Sequence, residues 1–551
     1  MRLDLILRAR EILTMDPARP TATSVGVIGG RIVGFDEELA GLEAERVLDF
    51  GDAVATPGLI DAHCHTAWWG LGLAAIDLSA ARGLEALYAL IAAEAARLDE
   101  LGDADAWVHG TGFNQAHHGG LFPDIARLDE ITGGRPLYLR HTSGHASITN
   151  TATLRLVGAL EPGFENPVGG VVVRDGSGAP TGLVEEAAQG LVQALLLPYS
   201  RERLIEALDA ATSRYAAQGI TSFTEAGVGG GWIGHSPVEV AAYQAASERG
   251  RLHARAQLMP AIDALRPLEG HAADFHGEGD GAGLDLGIRA GFGDDAVRFG
   301  HVKVFLDGSL LGATAAVTED FCGHAEHGNR GYLLDEPETY RERALGAYRA
   351  GWPLALHAIG DAAIDLALDI IEEAQDRYGR LDVPCRIEHF AIARPEQVER
   401  AGRLGIAVTP QAGFIGSFGE QMADRVGPER RDWLYRGRSV IDAGVILAGS
   451  SDLPVADNDL RRGMQSAVDR IADGGVALGP DEAITPEEAL RTHTEWAARA
   501  TGQLADKGTL ERGKLADFAV FSASPLTAPS IAQLDIVATV LGGELSYDAR
   551  S

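Results

Sequence analysis

The chain has 551 residues, which at roughly 100–200 residues per domain predicts two to four domains. Hydrophobic content of 46% with 23% charged residues is that of a soluble globular protein, and no apolar run approaches the roughly 18 residues that span a bilayer. A formal net charge of −32 repels phosphate backbones, so neither a nucleic-acid nor a membrane partner is expected.

The opening residues Met1-Arg2-Leu3-Asp4 carry an early acidic side chain, and no apolar segment followed by small residues comes after them, so no cleavable signal is expected. Cys64, Cys322 and Cys385 are odd in number and widely spaced. That argues against a disulfide framework and for a cytoplasmic location.

Residues 3–34 read as short alternating strands, with Gly29-Gly30 as a two-residue hairpin turn. The C-terminal segments Phe518-Ala519-Val520-Phe521 and Ile536 to Leu541 have the same texture. We therefore expect one small β-sandwich built from both termini, residues 1–55 and 503–551. Between them come eight short buried-strand candidates, near residues 59–65, 220–225, 253–260, 300–306, 353–357, 385–389, 407–411 and 445–450. Helical patterns separate them, for instance Pro237 to Arg249, Asp361 to Tyr378 and Pro395 to Leu404. Alternating strand and helix predicts an α/β fold with a parallel sheet, and eight units predict a closed (β/α)8 TIM-type barrel over residues 56–79 and 186–502. The first two strands lie about 155 residues apart, far beyond a normal connection. An α+β domain inserted after strand one, residues 80–185, accounts for the gap and is expected to cover the barrel mouth.

Chemistry in such barrels sits at the C-terminal ends of the strands. Thr56-Pro57-Gly58-Leu59-Ile60-Asp61-Ala62-His63-Cys64-His65 is a Pro-Gly turn, an apolar run and two histidines one residue apart. Strand side chains alternate faces, so His63 and His65 share one face and Cys64 takes the other. Paired imidazoles at a buried strand end suit a metal ion, although an H-x-H spacing also arises by chance in a chain with 17 histidines. Further strand candidates end in, or carry, Lys303, His357, Glu388-His389 and Asp452. The run Gly229-Gly230-Gly231-Trp232-Ile233-Gly234 formally matches a dinucleotide-binding fingerprint but lacks its acidic partner, and reads as a flexible barrel loop. His117-His118 and His324 with His327 read as exposed loop pairs.

That order of residues resembles the amidohydrolase superfamily, in particular the branch that includes N-substituted formamide deformylases. The resemblance runs almost end to end, through Pro57 to Asp61, Gly112-Phe113-Asn114, Gly144-His145, Gly169-Gly170-Val171, Pro180-Thr181-Gly182 and Gly219-Ile220-Thr221-Ser222. It continues through Lys303 with Asp307-Gly308-Ser309-Leu310, His357 to Asp361, Arg386 to His389 and Gly513 to Asp517. It implies two divalent ions, zinc first and manganese or cobalt as alternatives: His63, His65 and Asp452 on one, His357 and His389 on the other. Lys303 would bridge them as a carboxylated lysine. It further implies hydrolysis of a C–N bond in an amide or N-formyl or N-acyl small molecule, with Asp452 as general acid and base.

Other readings stay open. Asp452 also reads as a capping residue, Lys303 as an unmodified lysine paired with Glu186 or Asp307, and Glu186 as a metal-site group. His145, Asn114 and Trp68 are the candidate substrate contacts, with Trp69 a second candidate for an apolar wall. Alternatives at the level of function are a mononuclear deaminase and a non-catalytic binding protein on the same fold. A homodimer is the alternative to a monomer.

Overall fold

The computed structural model describes residues 2–73, 75–100, 106–231, 233–322, 328–456 and 459–550. The candidates His324, His327 and Trp232 lie outside these residues. Among the described residues, no helix is long and apolar enough to cross a membrane.

All of the expected central strands form, and each pairs in parallel with its neighbours. Leu59–Cys64, Ile220–Val228, Arg255–Pro260 and Val297–Phe299 make a four-stranded sheet; Val302–Phe305, Leu354–Ala358, Arg386–His389, Ala407–Thr409 and Ile446–Leu447 make a five-stranded one. Apart from the half-buried Val297–Phe299, these strands are almost wholly buried, as apolar runs in a parallel sheet must be. The helix Asp361–Tyr378 shows why the layers hold together. Ile364, Ala367, Leu368 and Ile371 fall at helical spacing on one buried face, and Gly379, at φ 78°, ends the helix.

The closed (β/α)8 barrel is not present as one ladder. At one seam the two sheets meet through the lone parallel bridge between Ala261 and Lys303. At the other, Ala62 N–H donates to Gly449 O at 3.2 Å and Asp452 N–H to His63 O at 2.9 Å, outside any ladder. The physical reason lies in the chain after Leu447. A Cβ on Gly449 would fall 2.4 Å from His493 Nε2, and Asp452 adopts φ 54°. A segment that turns this sharply cannot continue strand pairing.

Strands from the two ends of the chain share a single eight-stranded sheet, in which Phe518–Phe521 pairs with Val54–Pro57 and Arg2–Leu13 runs alongside. A separate six-stranded sheet begins at Ile76, slightly before residue 80, and ends with Pro180–Glu186.

Candidate metal centre

The strand Leu59–Cys64 starts at a glycine for a steric reason: a Cβ on Gly58 would meet Thr221 Oγ1 at 2.1 Å. Asp61 and His63 then project from the same face. Asp61 reaches across to the loop after Leu447. Ser451 N–H donates to its Oδ1 at 3.0 Å and the Ser451 hydroxyl to its Oδ2 at 2.5 Å. That grip fixes the neighbouring Asp452, whose Oδ1 lies 3.4 Å from His63 Nε2 and 3.3 Å from His65 Nε2. Strand ends also deliver His357 and His389, with ring centroids 4.4 Å apart, and His389 lies 4.9 Å from His63. Lys303 is fully buried, its Nζ without a hydrogen-bond partner and 4.6 Å from the Phe305 ring centroid.

Hydrogen bonds settle which ring nitrogens hold protons. His63 Nδ1 donates to the Glu388 carboxylate, which can only accept. His389 Nδ1 donates to Gln411 Oε1 at 2.8 Å, and His357 Nε2 donates to Gly308 O at 3.0 Å. The opposite nitrogen of each ring keeps its lone pair, and His63 Nε2, His357 Nδ1 and His65 Nδ1 are buried with no partner. Unpartnered buried nitrogens are costly unless something binds them.

Charge follows the same logic. Burial pushes His65 down to about 4 and His389 to about 3, and holds His357 well below its ordinary value, so these rings are neutral and able to ligate. Burial alone would raise Asp452, but the His63 and His65 imidazoles beside it hold it well below the carboxylate range. Burial likewise opposes ionisation of Glu388, and the Arg386 guanidinium with His63 overrides it. Lys303 is lowered to about 8 by burial, against the pull of Glu388 and Asp452.

Among the described residues, the compact group able to hold an ion is His63, His65 and Asp452, with ligand atoms all within 4.8 Å of one another. Two imidazoles and a carboxylate suit a divalent ion such as zinc. His357 and His389 border the group without joining it.

A cavity of about 60 Å³ opens on His65, His357, His389 and Asp452, and its wall includes Trp68, Gly144, His145, Phe305 and Tyr435. The 76–186 sheet region thus reaches the site through Gly144 and His145. His145 Nδ1 is 2.9 Å from Glu186 Oε2, so Glu186 serves His145, and neither Glu186 nor Asp307 pairs with Lys303. Asp307 instead accepts backbone N–H bonds from Ala316, Ile359 and Gly360.

Other expectations need correction. Asn114 does not line the cavity; its side chain accepts from Ala116 N at 3.0 Å, capping the short helix Gln115–His118. Trp69 stacks on Tyr215 at 5.6 Å and lies outside the cavity wall. His118 is buried against Phe113, not exposed, and His117 is half-buried. In the glycine-rich loop, the amides of Gly229 and His235 donate to Glu239, a carboxylate of the chain's own. Cys64, as expected, faces away from the site, its Sγ 3.5 Å from Thr224 O, and burial pushes its thiol well up.

Sequence reasoning missed the groups that hold the histidines. Arg386 Nε donates to Glu388 Oε1 at 2.5 Å, Arg386 Nη2 to Ala62 O at 2.7 Å, and Thr409 Oγ1 to Glu388 Oε2 at 2.9 Å. A charged pair two residues apart on a buried strand must share a face, and that signal was available.

Comparison with known proteins follows this geometry. A model described as "Amidohydrolase family" matches residues 46–547. The chain is 30% identical over 559 residues to an N-substituted formamide deformylase from Arthrobacter pascens, covering 99% of this chain and 98% of that protein. It is 29% identical over 558 residues to the protein LONG AFTER FAR-RED 3 of Arabidopsis thaliana, covering 99% and 91%. Among solved structures it resembles an uncharacterized metal-dependent hydrolase from Pyrococcus horikoshii, with TM-score 0.74, 22% identity and coverage of 96% and 99%.

Proposed function

The chain belongs to the amidohydrolase family, and from that premise we propose that it is a metal-dependent hydrolase of a carbon–nitrogen bond, acting on an amide or an N-formyl or N-acyl small molecule. The observation that carries this reading is the set of buried imidazoles at the strand ends. His63, His357 and His389 each have one nitrogen tied to a fixed acceptor and the other left to accept. Oriented rings that converge with a nitrogen free to ligate are what a metal site requires.

In this reading His63, His65 and Asp452 hold one divalent ion, and His357, His389 and a carboxylated Lys303 complete a second position. Such an ion supplies Lewis acidity, which activates water near neutral pH and polarises a carbonyl. Lys303 is prepared for carboxylation because burial lowers its amine to about 8, so more of it is neutral near physiological pH than for an exposed lysine. The amine nitrogen bonds to the carbon of CO2 and releases one proton, leaving a carboxylate on Nζ. Asp452 takes a proton from the attacking water and returns it to the departing nitrogen. His145, held by Glu186, orients the substrate carbonyl from the cavity wall. Trp68 forms an apolar side of the same cavity.

A second reading has one ion only, with deamination as its chemistry. It is favoured by the compactness of His63, His65 and Asp452, which His357 and His389 do not join. A screen of N-formyl and N-acyl compounds against the purified protein, with its metal counted, tests both. Turnover of an N-acyl compound with two ions supports the first reading. One ion with release of ammonia from an aminated ring supports the second.

A further inference from the structure

Besides a cavity of about 30 Å³ that it shares with Arg140 and Tyr199, Trp68 borders two others. One is the small cavity over the metal residues, where its ring lies 5.7 Å from His65. The other, of about 440 Å³, is bounded by Trp68 together with Trp107, Tyr138, Arg140, Tyr199 and Arg203, among others. The Arg140 guanidinium stacks over the Trp68 ring at 3.9 Å, and that of Arg203 lies 5.8 Å from the Tyr199 ring.

The charge of this second cavity runs against that of the chain. Arg97 and Glu94 cancel each other through two hydrogen bonds of 2.7 Å. His109 stays neutral, lowered to about 4 by burial and then by Arg203. Arg140 and Arg203 make no side-chain hydrogen bond or ion pair with any described residue, and Arg140 Nε is buried without a partner. Among the described lining residues, three arginines less one glutamate leave two positive charges, in a protein with formal net charge −32. Arg140 is half-buried with its Nε shut off from water, and a buried donor without an acceptor is costly unless an anion comes to it. The surrounding Trp107, Tyr138 and Tyr199 offer flat apolar surface rather than the ring of donors that a free phosphate would need.

We propose that this cavity binds a small organic carboxylate. Arg140 and Arg203 take the carboxylate, whose planar geometry matches a guanidinium fork, and the aromatic side chains pack on the apolar body. The site is distinct from the metal residues and does not depend on the reaction proposed for them.

The test is calorimetric titration of the intact metal-loaded protein with phenylacetate, with its neutral counterpart phenylacetamide and with inorganic phosphate. Phenylacetate should bind saturably, and the amide and phosphate about tenfold more weakly or worse. Arg140→Met and Arg203→Gln should each weaken phenylacetate about tenfold with metal content unchanged. Arg203 is exposed at the rim, so its variant retains the fold even where loss of Arg140 disturbs Trp68. Equal binding of acid and amide, equal binding of phosphate, or a dissociation constant above about 10 mM for phenylacetate overturns the proposal. So does binding that both variants leave unchanged, which would place the acid on the metal ions.

Discussion

The Glu388 carboxylate accepts the Nδ1 proton of His63, and this one bond decides that the His63 lone pair faces Asp452. Arg386, itself fully buried, holds Glu388 from the other side. The candidate metal site is therefore built from a strand-to-strand relay: Arg386 fixes Glu388, Glu388 fixes His63, and Asp61 fixes Asp452 through Ser451.

Glu388→Gln keeps the shape and removes the charge. We expect metal affinity to fall roughly 10–100-fold, as for other groups that orient a ligating histidine. The variant should also lose about 3–5 kcal/mol of stability, because the Arg386 charge stays buried without its partner. Metal titration and thermal unfolding measure the two effects. Unchanged affinity would show that His63 does not depend on Glu388.

Lys303→Ala should lose at least one ion together with the activity, and short carboxylic acids should restore part of both. Lys303→Arg should fail, because arginine does not take up CO2 to make a bridging carboxylate. High-resolution density showing a bare ammonium in an active, metal-loaded protein would remove the carboxylated lysine from the account.

His145 sits on the cavity wall and is tied to Glu186, away from the compact ligand group. His145→Ala should raise KM or lower kcat/KM at unchanged metal content. Loss of metal in this variant would instead make His145 a ligand.

Much of this site was legible in the sequence because it rests on short periods. His63 and His65 at strand spacing, and His357, His389 and Lys303 in apolar runs, declare their faces without any long-range information. Asn114 misled because an asparagine before a turn of helix looks the same whether it caps or binds, and here it caps. Asp307 was placed near Lys303 by its nearness in sequence and Glu186 by the family resemblance, whereas their partners are set by how distant segments pack. Barrel closure failed for a related reason: whether Gly449 to Asp452 continues a strand depends on how closely His493 packs on Gly449, which no local pattern encodes.

Glu225 gives a test of pH dependence away from the ligands. Burial raises its carboxyl to about 8, opposed by the Tyr243 hydroxyl bond at 2.6 Å and by the amides of Ala67 and Thr66. A carboxyl with a raised folded pKa binds its proton more tightly in the native state. Its contribution is full below about 4.5 and is lost as pH rises through about 8. Glu225→Gln should match the parent in stability near pH 4 and exceed it above pH 8, by about 5 kcal/mol at most. Denaturant unfolding across that range decides it, and parallel curves for the two proteins would refute the buried protonated carboxyl.

The most direct test of the central claim is a count of divalent ions per chain in the purified protein, paired with its activity on an N-acyl substrate before and after chelation. The account predicts two ions, loss of activity when they are removed, and recovery on adding zinc, manganese or cobalt. Full activity in protein shown to be metal-free would contradict it.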